Sequence, residues 1–161
     1  MKNFNITKHF TYYELTNTRD HPELLQKNRE YFAVEPYLSR LEIAAEYLLE
    51  NIRECIDAPL MVNNGGRCPE LNAAVGGVAT SQHRFELPGA GAFDIWTPAM
   101  GVEDLSKIIL TKSSVQWYQL RVYPGHKFIH IGMPRGENDG QVKIVLDRVP
   151  TWYMDHAEGD K

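Results

Sequence analysis

The sequence predicts an α+β fold, an antiparallel sheet with flanking helices, and two observations carry the prediction. Long helical periodicity comes early in the chain, over Pro36 to Ile56, and hairpin-linked strand patterns come late. Helices grouped ahead of strands argue against the strict βαβ alternation of a doubly wound sheet. With 161 residues, 43% of them apolar, the chain has the size and core content of one ordinary domain spanning residues 1–161.

Thr7 to Leu15 reads as an entry turn and short helix, in which Thr11 caps Tyr12-Tyr13-Glu14-Leu15 and Glu14 falls in the first turn. His9 in this arm has no second ligand-type residue nearby and reads as a surface or packing histidine. From Pro36 to Ile56, apolar Leu38, Leu41, Ala45, Leu48, Leu49 and Ile52 recur at three- and four-residue steps. Arg40, Glu42, Glu46, Glu50 and Arg53 fall on the other faces, Pro36 suits the first turn, and Asp57 to Pro59 ends the run.

Leu60-Met61-Val62-Asn63 reads as a short buried strand, broken by Asn64-Gly65-Gly66, where glycine permits close backbone approach. Pro69 to Val75 is a short helix stopped by Gly76-Gly77. Arg84 to Phe93, with Pro88, Gly89 and Gly91, is an irregular loop that re-enters a strand at Ala92-Phe93-Asp94-Ile95-Trp96. Alternation there turns Asp94 away from the core that Phe93 and Ile95 face.

Val102 to Thr111 forms a second amphipathic helix on Leu105, Ile108, Ile109 and Leu110. Tyr118 to Tyr123 and Lys127 to Met133 are strands joined by Pro124-Gly125-His126, which has the composition of a tight hairpin. Gln141 to Leu146 is the last strand, and the charged tail from Asp155 to Lys161 is expected to fray.

A formal net charge of -4 with no Lys/Arg cluster gives no basis for nucleic acid or anionic membrane as a partner. Met1 to Phe10 has no apolar signal core, so synthesis in the cytoplasm without a signal peptide is expected. Cys55 and Cys68 form no C-x-x-C pair; Cys55 reads as a small core residue on the buried stripe, and Cys68 as structural. Nothing in the sequence speaks for an oligomer, and a monomer is the default.

The chemistry gathers in Ser81-Gln82-His83, the loop that follows to Asp94, and Lys127-Phe128-Ile129-His130-Ile131. A carboxylate flanked by apolar residues needs a cation or donors. Together with His83 and His130, Asp94 makes the two-histidine, one-carboxylate set that holds zinc in hydrolases and leaves a fourth position for water of pKa about 7. On spacing alone the set is weak, because a chain of this length contains such triplets by chance. His21 and His156 have no comparable context, and Phe85, Trp96, Trp117 and Tyr123 fit a core at least as well as a substrate groove.

The ordered runs Val62-Asn63-Asn64-Gly65-Gly66-Arg67-Cys68-Pro69-Glu70-Leu71-Asn72-Ala73-Ala74-Val75-Gly76-Gly77, Ser81-Gln82-His83, Ala92-Phe93-Asp94-Ile95 and Phe128-Ile129-His130-Ile131 carry more. They resemble the D-alanyl-D-alanine carboxypeptidase and hedgehog-type zinc peptidase family, and within it the small phage and bacterial peptidoglycan peptidases. The likeness runs from about Thr7 to Met133, with His9-Phe10 and Glu14-Leu15 resembling the family's opening.

The resemblance implies a zinc metallopeptidase that cleaves peptidoglycan stem peptides as a D,D- or L,D-type carboxypeptidase or endopeptidase, with His83, Asp94 and His130 on the metal. It places Arg67 where relatives stabilise an oxyanion or a substrate carboxylate, and Ser81 where a serine supports the site's hydrogen bonding. An enzyme of this kind acts on the wall after lysis or as part of a phage particle.

Two departures stand out. Ten residues separate His83 from Asp94 where relatives usually have six, an insertion expected to bulge outward at little entropic cost. Lys127 occupies the position, three before the last histidine, where many relatives carry an acidic general base. That leaves His126 as the nearest titratable substitute and Glu86 in the loop as another. It also motivates an alternative function: a non-catalytic wall-binding or virion structural module with the same fold and metal.

Overall fold

The computed structural model describes residues 2–113, 119–122, 127–134 and 143–144. The first helix, α1 (Tyr12–Leu15), has a complete capping box: Thr11 accepts from the Glu14 amide while Glu14 reaches back to the Thr11 backbone. A 3-10 turn, Pro22–Leu24, leads into α2 (Leu25–Phe32), which the sequence reading passed over. Its pattern is weak because it buries only Asn28 and Phe32.

The predicted long helix exists but is not uniform. It runs as α3 (Tyr37–Ala44), a π-helical segment over Ala45–Glu50, and α4 (Asn51–Ile56), ending where Asp57 turns left-handed at φ 46°. Pro36 sits one position earlier than expected, at the N-cap. Glu50 is buried, contrary to its expected place on a solvated face, because the Thr7–His9 arm folds over it. Cys55 is only half-buried, its thiol 3.7 Å from the Lys112 carbonyl; the fully buried part of the stripe it was assigned to ends at Ile52.

Strand β1 (Met61–Asn64) precedes α5 (Pro69–Ala74), where Cys68 is fully buried and its sulfur accepts from the Leu71 amide. A 3-10 turn at Gln82–Arg84, strand β2 (Ala92–Trp96) and helix α6 (Val102–Lys112) follow, then β3 (Gln119–Val122), β4 (Ile129–Gly132) and β5 (Lys143–Ile144). The predicted turn at 124–126, much of the strand at 141–146 and the tail lie outside the described residues.

The sheet order is β1-β2-β4-β3-β5, antiparallel except for the parallel pairing of β3 with β5. β1 is at an edge and leaves Met61 38% exposed, so it is not the buried strand expected. Phe93, Ile95, Leu120, Val122, Ile129 and Ile131 face the helices in one core with Leu41, Leu48 and Ile52. Each such side chain contributes about 1.5–3 kcal/mol by leaving water.

Alternation then forces the intervening residues onto the other face. The register places Asn64 opposite Asp94, Asp94 opposite His130, and His130 opposite Arg121, so four polar residues form one row across four strands. A bulge between Val62 and Asn64 brings Asn64 into that row; simple alternation would have turned it with Val62 toward the helices. No helix among the described residues is long and apolar enough to cross a membrane.

Candidate metal centre

His83, the one residue of the cluster outside the sheet, is fixed by its surroundings. Its carbonyl accepts from the Arg67 amide at 2.7 Å, and its neighbour Gln82 donates to the Met133 carbonyl at 2.9 Å, tying the turn to the end of β4. Gln82 fits there because residue 132 is glycine: a Cβ would lie 2.0 Å from the Gln82 side-chain oxygen. The imidazole Nδ1 lies 2.8 Å from the Gly65 carbonyl, an acceptor, so Nδ1 carries the proton and Nε2 presents its lone pair inward.

Gly65 is required by sterics. A Cβ there would sit 2.1 Å from the Leu15 carbonyl oxygen, and the backbone stays close because the Gly66 amide donates to that oxygen at 2.8 Å. Buried Asn28 holds the same loop, donating to the Thr16 and Gly66 carbonyls at 2.8 and 2.9 Å and accepting from the Cys68 amide at 2.7 Å. Gly65→Ala is therefore expected to cost about 3 kcal/mol in chemical denaturation, as overpacking against backbone does, and to weaken metal binding by tilting His83.

The three inward atoms converge. His83 Nε2 is 3.2 Å from His130 Nδ1 and 3.4 Å from Asp94 Oδ1, and His130 Nδ1 is 2.9 Å from Asp94 Oδ1. A tetrahedral zinc shell with bonds of about 2.0–2.1 Å has ligand-to-ligand edges of about 3.3–3.4 Å, close to this triangle. Protons alone satisfy it poorly: with His83 Nδ1 protonated, a single hydrogen on His130 Nδ1 faces two acceptors, His83 Nε2 and Asp94 Oδ1. A cation at the centre satisfies all three, so the donor set fits zinc.

Electrostatics agree with that reading. Burial lowers the His83 pKa and outweighs the neighbouring Asp94 carboxylate, keeping the ring neutral as a ligand must be. Burial alone would raise the Asp94 pKa, but the two imidazoles hold it well below the usual carboxylate range. Asn64 Nδ2 also donates to Asp94 Oδ2 at 2.9 Å, orienting Oδ1 toward the histidines. Such outer partners are worth about 10–100-fold in metal affinity, so Asn64→Ala should weaken zinc by that factor in a chelator competition.

The other expected residues divide. Arg67 lies beside the cluster; burial lowers its pKa, the Asp94 charge opposes that, and its buried Nε makes no hydrogen bond to a described residue. Ser81 instead lines a cavity of about 160 Å³ with Glu86, Leu87 and Ala90, and its carbonyl accepts from the Arg84 amide. Glu86 is ion-paired with Arg84, and Leu87 beside it is 61% exposed, so the inserted loop bulges outward as expected. Phe85 is core, edge-on to Phe32 and Phe93.

Lys127 is exposed and lines a separate cavity of about 280 Å³ with Trp96, Met100 and Leu105. His9 is paired with Glu50, and His21 with Glu23. His126, Trp117, Tyr123 and His156 lie outside the described residues. Sequence reasoning missed Asn64, Gln82 and Asn28, because each acts through a bulge or a backbone contact that residue spacing does not record.

Two histidines and a carboxylate at zinc-shell distances, gathered on the face of an antiparallel sheet opposite the Phe93 and Ile95 core, fit a zinc hydrolase. The family model for Peptidase M15 matches residues 8–132, and the chain belongs to that family of zinc-dependent peptidases. A comparison with curated protein sequences finds no match.

Proposed function

We propose that this chain hydrolyses amide bonds in peptidoglycan stem peptides, with His83, Asp94 and His130 holding the zinc ion. The observation that carries the proposal is the triangle of converging ligand atoms, together with membership of a peptidase family. Bound there, zinc acts as a Lewis acid toward a carbonyl and makes water acidic enough to attack near neutral pH.

The chain's own residues supply the rest. His130 keeps 14% side-chain exposure while Asp94 keeps 8% and His83 3%, so the substrate approaches from the His130 side. Arg67 offers a fixed positive fork to the oxygen that gains charge or to a substrate carboxylate, and its unused buried Nε is the donor such a role requires. Glu86 is occupied by Arg84, which leaves His126, in the segment leading into β4, as the group assigned to proton transfer. The natural setting is a lysis or entry enzyme that meets the wall after release or from a particle.

Purified wall sacculi incubated with the zinc-loaded protein test the proposal. Stem-peptide fragments released and identified by mass, and lost on chelation, are expected. Binding without cleavage would instead assign a wall-binding module, and neither binding nor cleavage would overturn the substrate.

A further inference from the structure

We infer that the cavity between the end of β2 and the start of α6 is a specificity pocket of this site: it takes the long aliphatic side chain of a stem peptide, that of its diamino acid, and Lys127 turns away the form ending in a bare ammonium. The inference rests on the peptidase reading above. It starts from the two strands that carry metal ligands. Toward Ala92 and Gly132 the pair is closed, since the Gln82 side chain lies against Gly132 and the Met133 amide donates to the Gly91 carbonyl at 2.8 Å. In the other direction β2 runs on to Trp96, two residues past Asp94, and the approach to β4 passes Lys127, three before His130. Both line the cavity, and at about 3.3 Å per residue it begins roughly 7 Å from Asp94.

The walls of the cavity are apolar. Half-buried Trp96, Met100 and Val102 and fully buried Leu105 supply them. Thr97 adds no free polar group, because its hydroxyl donates to the Pro59 carbonyl at 2.6 Å and accepts from the Ala99 amide at 3.2 Å. Lys127 is the one charged residue in the lining; it is exposed and forms no ion pair with a described residue. A volume of about 280 Å³ falls just below the range of small-molecule sites, about 300–1,000 Å³, and suits a single side chain.

Charge decides which side chain enters. A lysine in such a cavity buries its methylene stem and keeps its ammonium in water at the mouth. Here the mouth already holds the Lys127 ammonium, and like charges about 4 Å apart cost about fivefold in affinity even in bulk water, more where the dielectric is lower. A stem of the same length that ends without charge, or that carries a carboxylate beside its ammonium as diaminopimelate does, escapes this penalty. The ligand class is thus a stem peptide with a diaminopimelate-type rather than a lysine-type diamino acid.

The experiment uses the zinc-loaded full chain and three synthetic stem peptides that differ only at the diamino acid: lysine, diaminopimelate, and norleucine, which keeps the lysine stem without its ammonium. Calorimetry should show wild type binding the norleucine and diaminopimelate peptides about tenfold more tightly than the lysine peptide. Lys127→Gln, a change at an exposed position, should narrow the gap to about twofold by improving the lysine peptide. Trp96→Ala should weaken the norleucine peptide about tenfold by removing a wall; Met100→Gln, which makes another wall polar, replaces it should it fail to fold. The inference is overturned if wild type binds none of the peptides, if either the norleucine or the diaminopimelate peptide binds no more tightly than lysine, or if the gap survives Lys127→Gln or the norleucine affinity survives the wall variant. Because binding is read independently of cleavage, failure to digest sacculi would sink the peptidase reading while the selectivity is still decided.

Discussion

Replacing Asp94 with asparagine is expected to abolish stoichiometric zinc binding while leaving the metal-free protein at least as stable as wild type. Asp94 Oδ1 lies 2.9 Å from His130 Nδ1 and 3.4 Å from His83 Nε2, and without a metal a single proton on His130 Nδ1 cannot serve both neighbours. An asparagine of the same shape brings its own donor to that corner and can still accept from Asn64, so the crowding is relieved. The net gain is of the order of one hydrogen bond, about 1 kcal/mol.

Zinc reverses the order. Losing a direct ligand must cost more than the roughly 100-fold that marks the upper range for an outer-shell partner. At a free zinc concentration 1,000 times its Kd, wild type should gain about 4 kcal/mol of stability and Asp94→Asn almost none. His83→Ala should lose zinc equally. Metal analysis and thermal unfolding with and without zinc check both; one-to-one binding by either variant at near-wild-type affinity would remove the triad from the metal.

The residues that could be read from the sequence share a physical property: their signal is local. Thr11 and Glu14 form a capping box within four positions, Pro69 opens its helix beside Cys68, and Asp94 between Phe93 and Ile95 shows its direction by strand alternation. His83 and His130 were visible as ligand types beside such patterns, and the 3-10 turn at Gln82–Arg84 and strand β4 bring them to 3.2 Å. What could not be read depends on a second segment. The β1 bulge turns Asn64 onto the metal face, and Gln82 has room only because residue 132 is glycine. Helical periodicity placed Glu50 in solvent for the same reason, since the arm that covers it lies some forty positions earlier.

That covered glutamate is the second large effect. Glu50 Oε1 accepts from the Thr7 hydroxyl at 2.5 Å and the His9 amide at 2.8 Å, and Oε2 lies 2.6 Å from His9 Nδ1. One buried carboxylate therefore fastens the N-terminal arm to the π-helical turn. Glu50→Ala strands a hydroxyl, an amide and an imidazole, each at a cost of about 1–3 kcal/mol if it stays buried. His9 keeps 29% side-chain exposure and recovers part of that from water, so a total loss near 3 kcal/mol is expected.

The pH dependence has a definite sign. Burial alone would raise the Glu50 pKa, but the His9 ring, the Thr7 hydroxyl and the His9 amide together bring it below its ordinary value of 4.5. A carboxyl depressed in the folded state contributes stability above its unfolded pKa and loses it as pH falls through the folded one. The advantage of wild type over Glu50→Gln should therefore be full at pH 7 and shrink steadily below about pH 4.5. Urea unfolding of both proteins at pH 7 and pH 3 measures it. A difference that stays constant across that range would mean the arm is held by packing of Phe10 and Tyr12 rather than by the carboxylate.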